Sequence, residues 1–389
     1  MTRTPLVVDI GPLRERFYTG IPNVVAELCV RLLREDWLDL YCDLDGRWVD
    51  NDSLRRCLGE RSGASLAAEM GRFAPAGAIR DQLRATGVFP RAVGLYTDHR
   101  PPRKLYAREG KIVYDLSMVL LPECHPAGSV QMYTADLAGQ IACSDVLFCI
   151  SEATAHDLSW VYGVEPERLR VVSLGSDVDL AAVGRIRDRI GNRPVEPFLL
   201  VLGSVEPRKN AGLVLRWLSA HPEVLDEVRV VFAGRQAWGD TFASLLEACG
   251  LQEAAAKGRI VFTGFVDDAF RTALLAGAAG LLYPSVFEGF GLPLLEAMAA
   301  GTPVLSSVSS SMPEIVGDCG YDFDPCSVAS LHAAFRRFWS DRASGAVGDL
   351  VARARQRAAG FSYDATYRVI LDGLFGREPG EAPVTPPAG

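Results

Sequence analysis

Two glutamates and the glycines between them are the groups best placed to do chemistry. They lie in Glu288-Gly289-Phe290-Gly291-Leu292-Pro293, followed by Glu296. The apolar residues ending at Tyr283 have strand length, and Pro293 suits the first turn of a helix. Gly289 and Gly291 let backbone N–H groups approach a ligand closely, and a helix N-terminus behind them favours an anion such as a diphosphate. A bare phosphate would be repelled by Glu288 and Glu296. A ligand carrying both phosphate and many hydroxyls satisfies the whole segment, because an ionised Glu accepts hydrogen bonds and sugar hydroxyls donate them. The local expectation is therefore a sugar nucleotide. In isolation Glu296 would read as a first-turn acid favoured by the helix dipole, and Glu288 as a solvated loop acid.

Arg208 and Lys209 follow a strand that ends near Gly203, with Pro207 stiffening the turn. Two cations at a strand end can neutralise a diphosphate without a metal, and can stabilise the charge on a departing nucleoside diphosphate. In the first half, Gly20 stands just before a helix, in Tyr18-Thr19-Gly20-Ile21, where it allows close backbone approach to donor phosphate or acceptor. His125 lies on a long loop, in Pro122-Glu123-Cys124-His125-Pro126, and His156 on the helix after Ser151 reads as structural. Asp-x-Asp occurs at Asp43/Asp45, Asp177/Asp179 and Asp322/Asp324, but none adjoins a phosphate loop as magnesium sites do, so no metal site is expected. No H-E-x-x-H, G-x-S-x-G, Walker A or G-x-G-x-x-G motif occurs, which argues against a dinucleotide dehydrogenase.

Short apolar strands alternating with helical patterns must position these groups, the signature of parallel sheets wrapped by helices. Leu6–Ile10, Lys111–Tyr114, Val146–Ile150 and Arg170–Leu174 read as strands of a first series, with Asn23–Leu33 a helix and Ser151 the N-cap of another. The GNRPVEP segment at 191–197 reads as a linker. Phe198–Leu202, Val228–Ala233, Arg259–Phe262, Ala279–Tyr283 and Pro303–Ser306 then form a second series. The expected layout is a doubly wound α/β domain over 1–193, a second over 194–362, a helix over 363–377 returning to the first domain, and a disordered tail over 378–389. Ligands of such sheets bind outside the strand C-termini, so the cleft between the halves is the expected active site.

These segments together resemble the retaining GT-B glycosyltransferases of the GT4 family. The resemblance rests on the E-x7-E spacing of Glu288 and Glu296 within EGFGLPLLEAMAAGTPV, with LGSVEPRKN (202–210), VFTGFVDDAF (261–270), ISEATAHDL (150–158), VVSLGSDVD (171–179) and TGIPNVVAEL (19–28). It implies that Glu288 contacts hydroxyls of a donor hexose and Glu296 the nucleotide ribose. The backbone amides of Gly289, Phe290, Gly291 and Leu292 would lie near sugar and diphosphate, and Arg208 and Lys209 near the leaving group. Phe265 and Val266 would border the nucleobase, with Phe265 as core residue the competing reading. Ser204 stands where relatives often carry another Arg, and Tyr114 where many carry the His of a His-Asp pair. Asp115 is left to orient the acceptor or the loop, and His125 could take over the missing His.

The resemblance further implies front-face substitution through an oxocarbenium-like state, with the departing phosphate taking the acceptor proton and domain closure excluding water. The donor is expected to be a nucleotide sugar, GDP-mannose first, with UDP- or dTDP-sugars as alternatives. The acceptor is expected to be a saccharide or polyprenyl-linked saccharide of a bacterial surface polysaccharide. A nucleotide-sugar 2-epimerase of the same architecture and a non-catalytic sugar-nucleotide-binding subunit are the competing readings.

Composition sets the frame. The 389 residues suggest two domains, and a hydrophobic share of 49% is ample for two cores. No apolar run reaches the length of a membrane span, and the N-terminus lacks a secretory h-region, so a cytoplasmic protein is expected. Nine scattered Cys without C-x-x-C spacing read as cytosolic thiols. A net charge of −8 argues against nucleic acid as a partner. Residues 61–111 nonetheless hold ten Lys/Arg against four acids, including Arg100, Arg103, Lys104, Arg108 and Lys111. That stretch suggests a peripheral contact with the inner face of the plasma membrane.

Overall fold

A computed structural model describes residues 3–16, 18, 20–191 and 196–376. Thr19, part of the expected linker and the tail expected at 378–389 lie outside the described residues.

Strands form where aliphatic and β-branched residues run uninterrupted between turn residues. The first sheet comprises β1 (Thr4–Asp9), β2 (Leu38–Leu44), β3 (Arg47–Val49), β4 (Ala74–Pro75), β5 (Val93–Tyr96), β6 (Arg108–Val113), β7 (Val146–Cys149) and β8 (Leu169–Val171). Their order is β4-β3-β2-β1-β5-β6-β7-β8. The strands from β2 through β1 to β8 are parallel, with Leu6 opposite Leu40 and Val93. β3 and β4 are antiparallel additions that the sequence reading missed. Their signal was present: Asp45 and Gly46 both have positive φ, 48° and 82°, the Asp-Gly turn that closes a two-residue hairpin.

The second sheet comprises β9 (Phe198–Leu202), β10 (Arg229–Ala233), β11 (Ile260–Phe262), β12 (Gly280–Tyr283), β13 (Val304–Ser307) and β14 (Tyr321–Phe323), in the order β11-β10-β9-β12-β13-β14 and parallel throughout. Its core joins these strands to the Ala211–Ala220 and Val328–Ser344 helices, whose Trp217 and Phe335 meet edge-on at 5.1 Å.

The chain divides into two compact units. One holds Met1–Leu116, Met132–Leu174 and Tyr363–Gly389; the other holds Ser117–Gln131 and Gly175–Ser362. The boundary expected at 193/194 is therefore displaced, and the reason is local. The Leu180–Ile190 helix precedes the expected linker but is stitched to the second unit by Arg187. Its guanidinium donates to the carbonyls of Ala276 at 3.2 Å, Ala300 at 2.6 Å and Gly301 at 3.2 Å. These carbonyls close the Asp268–Gly277 and Leu292–Ala300 helices, where a cation meets the negative end of each dipole. In the first unit, the Tyr363–Phe375 helix is held by Arg31 to Asp364 at 2.6 Å, by Arg108 to the Gly373 carbonyl at 2.9 Å and by Trp37 against Phe375.

The basic stretch at 61–111 is only partly a surface. Arg100 is wholly buried, pairing with Glu109 at 2.5 Å and with the Ser144 hydroxyl at 2.9 Å. Lys111 is buried too and donates to the Asp98 carbonyl; burial pulls its pKa down to about 8. Lys104 pairs with Asp145 at 2.6 Å.

Candidate active site

The second unit gathers the residues singled out around Glu288. β9 ends at Leu202, and the backbone turns through Gly203, Ser204 and Val205 to a short 3-10 turn, Pro207–Lys209. β10 ends beside it. A Cβ on Gly234 would lie 1.9 Å from the Gly203 carbonyl oxygen, so only glycine permits this approach of the two strand ends. The turn presents Arg208 and Lys209 toward the loop after β12. There Glu288 Oε1 accepts from Lys209 Nζ at 2.6 Å and Oε2 from Arg208 at 3.1 Å. Lys209 also donates to the Tyr283 hydroxyl at 3.2 Å, and Arg208 to Glu206 at 3.0 Å and to the Phe287 carbonyl at 2.9 Å. Ser204 completes the chain through Glu206 at 2.7 Å.

Glu288 is buried, and burial alone would raise its pKa. The charges of Lys209 and Arg208, with the hydrogen bond from Lys209, outweigh that and hold it at about 2. It is ionised across the physiological range. Two cations and the two carboxylates of Glu206 and Glu288 thus balance. Lys209 spends two of its three N–H donors on Glu288 and Tyr283, and its side chain is 18% exposed, so one donor remains for an incoming oxyanion.

The loop itself is tied down by hydroxyls that the sequence reading missed. Ser307 donates to the Ser285 carbonyl at 2.6 Å, Ser309 to Val286 at 2.5 Å and Ser310 to Glu288 at 2.7 Å. Ser311, wholly buried, donates to the carbonyls of Glu288 at 2.8 Å and Phe290 at 2.9 Å. The serine-rich run after β13 was the available signal. With its carbonyls satisfied from behind, the segment passes through Gly291 (φ 107°) into the Leu292–Ala300 helix, with Pro293 in the first turn. Phe290 buries its ring against Phe361, at 5.9 Å, and so offers a ligand its backbone only.

Glu296 points from that helix into a buried position. Oε1 accepts from Arg271 at 2.8 Å, while Oε2 has no partner among the described residues. Burial raises its pKa to about 7, against the lowering effect of Arg271 and with Asp177 and Asp268 adding to the rise. Arg271 is a partner of Glu296 that sequence reasoning did not single out, since nothing in the linear pattern ties the two. An orphaned carboxylate oxygen in a buried place calls for a donor, and a hydroxyl supplies one.

Other expectations fall differently. Phe265 is 50% exposed and is no core residue; it follows Gly264 (φ 70°), with Val266 half-buried beside it. His125 belongs to the second unit, its ring 5.9 Å from that of Trp238, whose indole N–H donates to the Cys124 carbonyl at 2.7 Å. The first unit holds Gly20, Tyr114 and Asp115. Gly20 has φ 57° and caps the Ile21–Leu32 helix. The Tyr114 hydroxyl is buried without a partner among the described residues, and the Asp115 carbonyl accepts from Tyr133 at 3.0 Å. His156 is exposed on its helix.

Residues 184–359 match the family model of glycosyl transferases group 1. The chain is 29% identical over 248 residues to the O-antigen chain mannosyltransferase B of Escherichia coli, covering 61% of this chain and 62% of that protein. It thus spans less than two-thirds of that relative. Among solved structures it is similar to sucrose-phosphate synthase from Thermosynechococcus elongatus, with a TM-score of 0.68 and 18% identity over 96% of this chain and 98% of the other. It is also similar to HepE of Anabaena in complex with UDP and glucose, with a TM-score of 0.62 and 15% identity over 96% of this chain and 99% of the other. The chain has the two-domain GT-B fold. Among the described residues no helix is long and apolar enough to cross a membrane.

Proposed function

We propose that this protein is a retaining hexosyltransferase that takes a sugar, mannose first, from a nucleotide-sugar donor and passes it to a saccharide or lipid-linked saccharide in polysaccharide synthesis. The observation that carries the reading is the buried Glu288 held by Lys209 and Arg208 beside a glycine loop that opens a helix. In this reading the ionised Glu288 accepts hydroxyls of the donor sugar. The backbone amides of Gly289, Phe290, Gly291 and Leu292 and the free donor of Lys209 meet the diphosphate. The unsatisfied oxygen of Glu296 takes the ribose hydroxyls. As the bond to the sugar breaks, negative charge grows on the leaving phosphate, and Lys209 and Arg208 stabilise it where it develops. Gly20, as a contact for donor phosphate or acceptor, and Asp115, as a group that orients the acceptor, are supplied by the first unit.

The mannosyltransferase relative supports mannose as the sugar, and the UDP-bound neighbour supports a nucleotide in the fold. A thermal-shift screen of GDP-, UDP-, dTDP- and ADP-sugars tests the reading, since a ligand bound only by the folded state raises Tm. GDP-mannose is expected to give the largest rise. A larger rise with another base overturns the donor assignment, and no rise with any of them overturns the function. The donor site is proposed to work without a metal, so chelation with EDTA should leave donor turnover unchanged. A peripheral membrane contact rests on the exposed remainder of the basic stretch, Arg72, Arg84, Arg91 and Arg103. Co-sedimentation with anionic vesicles at low salt tests it, and no pelleting removes it.

A further inference from the structure

The Ala211–Ala220 helix begins beside Lys209 and ends at His221, its C-cap residue, about 15 Å away along the axis. His221 Nδ1 lies 3.2 Å from Glu223 Oε1. The rings of His221 and His332 stack, with centroids 3.7 Å apart and planes 13° from parallel. One ligand atom from each of the three residues lies within 4.8 Å of the others. The backbones beneath them are fixed by the core. Trp217, wholly buried, packs on Phe335 and donates its indole N–H to His332 Nδ1 at 3.3 Å.

Two imidazoles and a carboxylate are a donor set suited to zinc and its neighbours. Two stacked imidazoles repel each other when both are protonated. His332 Nδ1 accepts the Trp217 indole N–H and so carries a ring lone pair. The helix C-terminus at His221 adds partial negative charge. A tetrahedral ion with bonds of about 2.1 Å needs donors about 3.4 Å apart, so binding would draw together ligand atoms that lie within 4.8 Å of one another. Nothing in the site around Glu288 uses these residues. The linear sequence hides the cluster, because His332 lies on the Val328–Ser344 helix, far from His221-Pro222-Glu223.

We infer that His221, Glu223 and His332 form a binding site for one divalent transition-metal ion of the zinc class, separate from the donor site. The ion ties the turn after the Ala211–Ala220 helix to the Val328–Ser344 helix. On His332 Nδ1 it displaces the indole N–H, so Trp217 changes environment on binding.

Isothermal titration of the chelator-treated full chain with zinc chloride tests this, in a Cys326→Ser background because Cys326 is the exposed thiol. The expected result is one ion per chain, at least tenfold weaker in His221→Gln and in His332→Ala, and unchanged in Lys209→Ala. Zinc should also shift the tryptophan emission of the parent chain but not that of His332→Ala. Circular dichroism melting confirms that each variant is folded; the exposed-side variant His221→Gln serves if His332→Ala is not. No binding by the parent chain up to about 1 mM zinc, or affinity kept within threefold in a folded histidine variant, overturns the assignment.

Discussion

Glu288 and Lys209 hold one another in place; without Lys209 the buried Glu288 is left to Arg208, and without Glu288 the ammonium is left to the Tyr283 hydroxyl. In the proposed reading, Lys209→Ala takes away the cation that faces the leaving group, and Glu288→Ala the acceptor for the sugar. Each is expected to lower donor turnover at least about tenfold, or about 1.4 kcal/mol in barrier, measured as nucleotide release. Rates unchanged in both would overturn the site. Glu296 gives a pH signature. Its carboxyl is raised to about 7 by burial, and in the proposed reading a ribose hydroxyl donating to it favours the ionised form. Donor affinity should therefore strengthen as pH rises from 6 to 8, by about tenfold, and should be flat in Glu296→Gln. The same shift acts on stability in the opposite sense. Below about 4.5 both folded and unfolded forms are protonated; between there and about 7 the unfolded chain has lost a proton that the folded one keeps. Folded stability thus falls across that window by about 3 kcal/mol, and Glu296→Gln should remove the fall in urea titrations. Glu288, Arg208 and Lys209 were legible because a strand end, glycines and cations fall at telling spacings in the chain. Glu206 and Arg271 were not, because what gives them meaning is a partner brought near only by folding.

Elements place these residues through contacts that carry no catalytic motif. The loop bearing Glu288 is fixed from behind by the serine run after β13, so its carbonyls are engaged and its amides can turn toward a ligand. Ser311→Ala leaves the buried carbonyls of Glu288 and Phe290 short of a donor, although Ser310 still reaches the former. The expected cost is about 1–3 kcal/mol in denaturant unfolding, with weaker donor binding. Ser311→Thr, which keeps the hydroxyl, should recover the binding if its added methyl is accommodated. The alternating pattern of strands and helices was readable from apolar periodicity. The β3–β4 extension was not read, since strands of three and two residues give period-two alternation too little length. The Asp45-Gly46 turn was the better guide.

At the scale of the whole molecule, the expected two domains are present, but the cut between them is not where proline and glycine suggested. Composition marks a change of local stiffness, whereas the boundary is set by side chains such as Arg187 that reach back across it. A fragment beginning at residue 194 lacks Arg187 and the Ser117–Gln131 segment, and so leaves the carbonyl end of the Asp268–Gly277 helix without its cation and the Ala300 carbonyl with Arg355 only. It should melt well below the intact chain in circular dichroism, and restoring residues 175–193 should recover part of the difference. The chain passes between the units four times. The Tyr363–Phe375 helix completes the first unit from the far end of the sequence, placing Gly373 against Phe148 and Phe375 against Trp37. During synthesis, then, the amino-terminal unit cannot finish folding when its own sheet has left the ribosome. It must wait, with the face that will receive this helix uncovered, until Tyr363–Phe375 has been added.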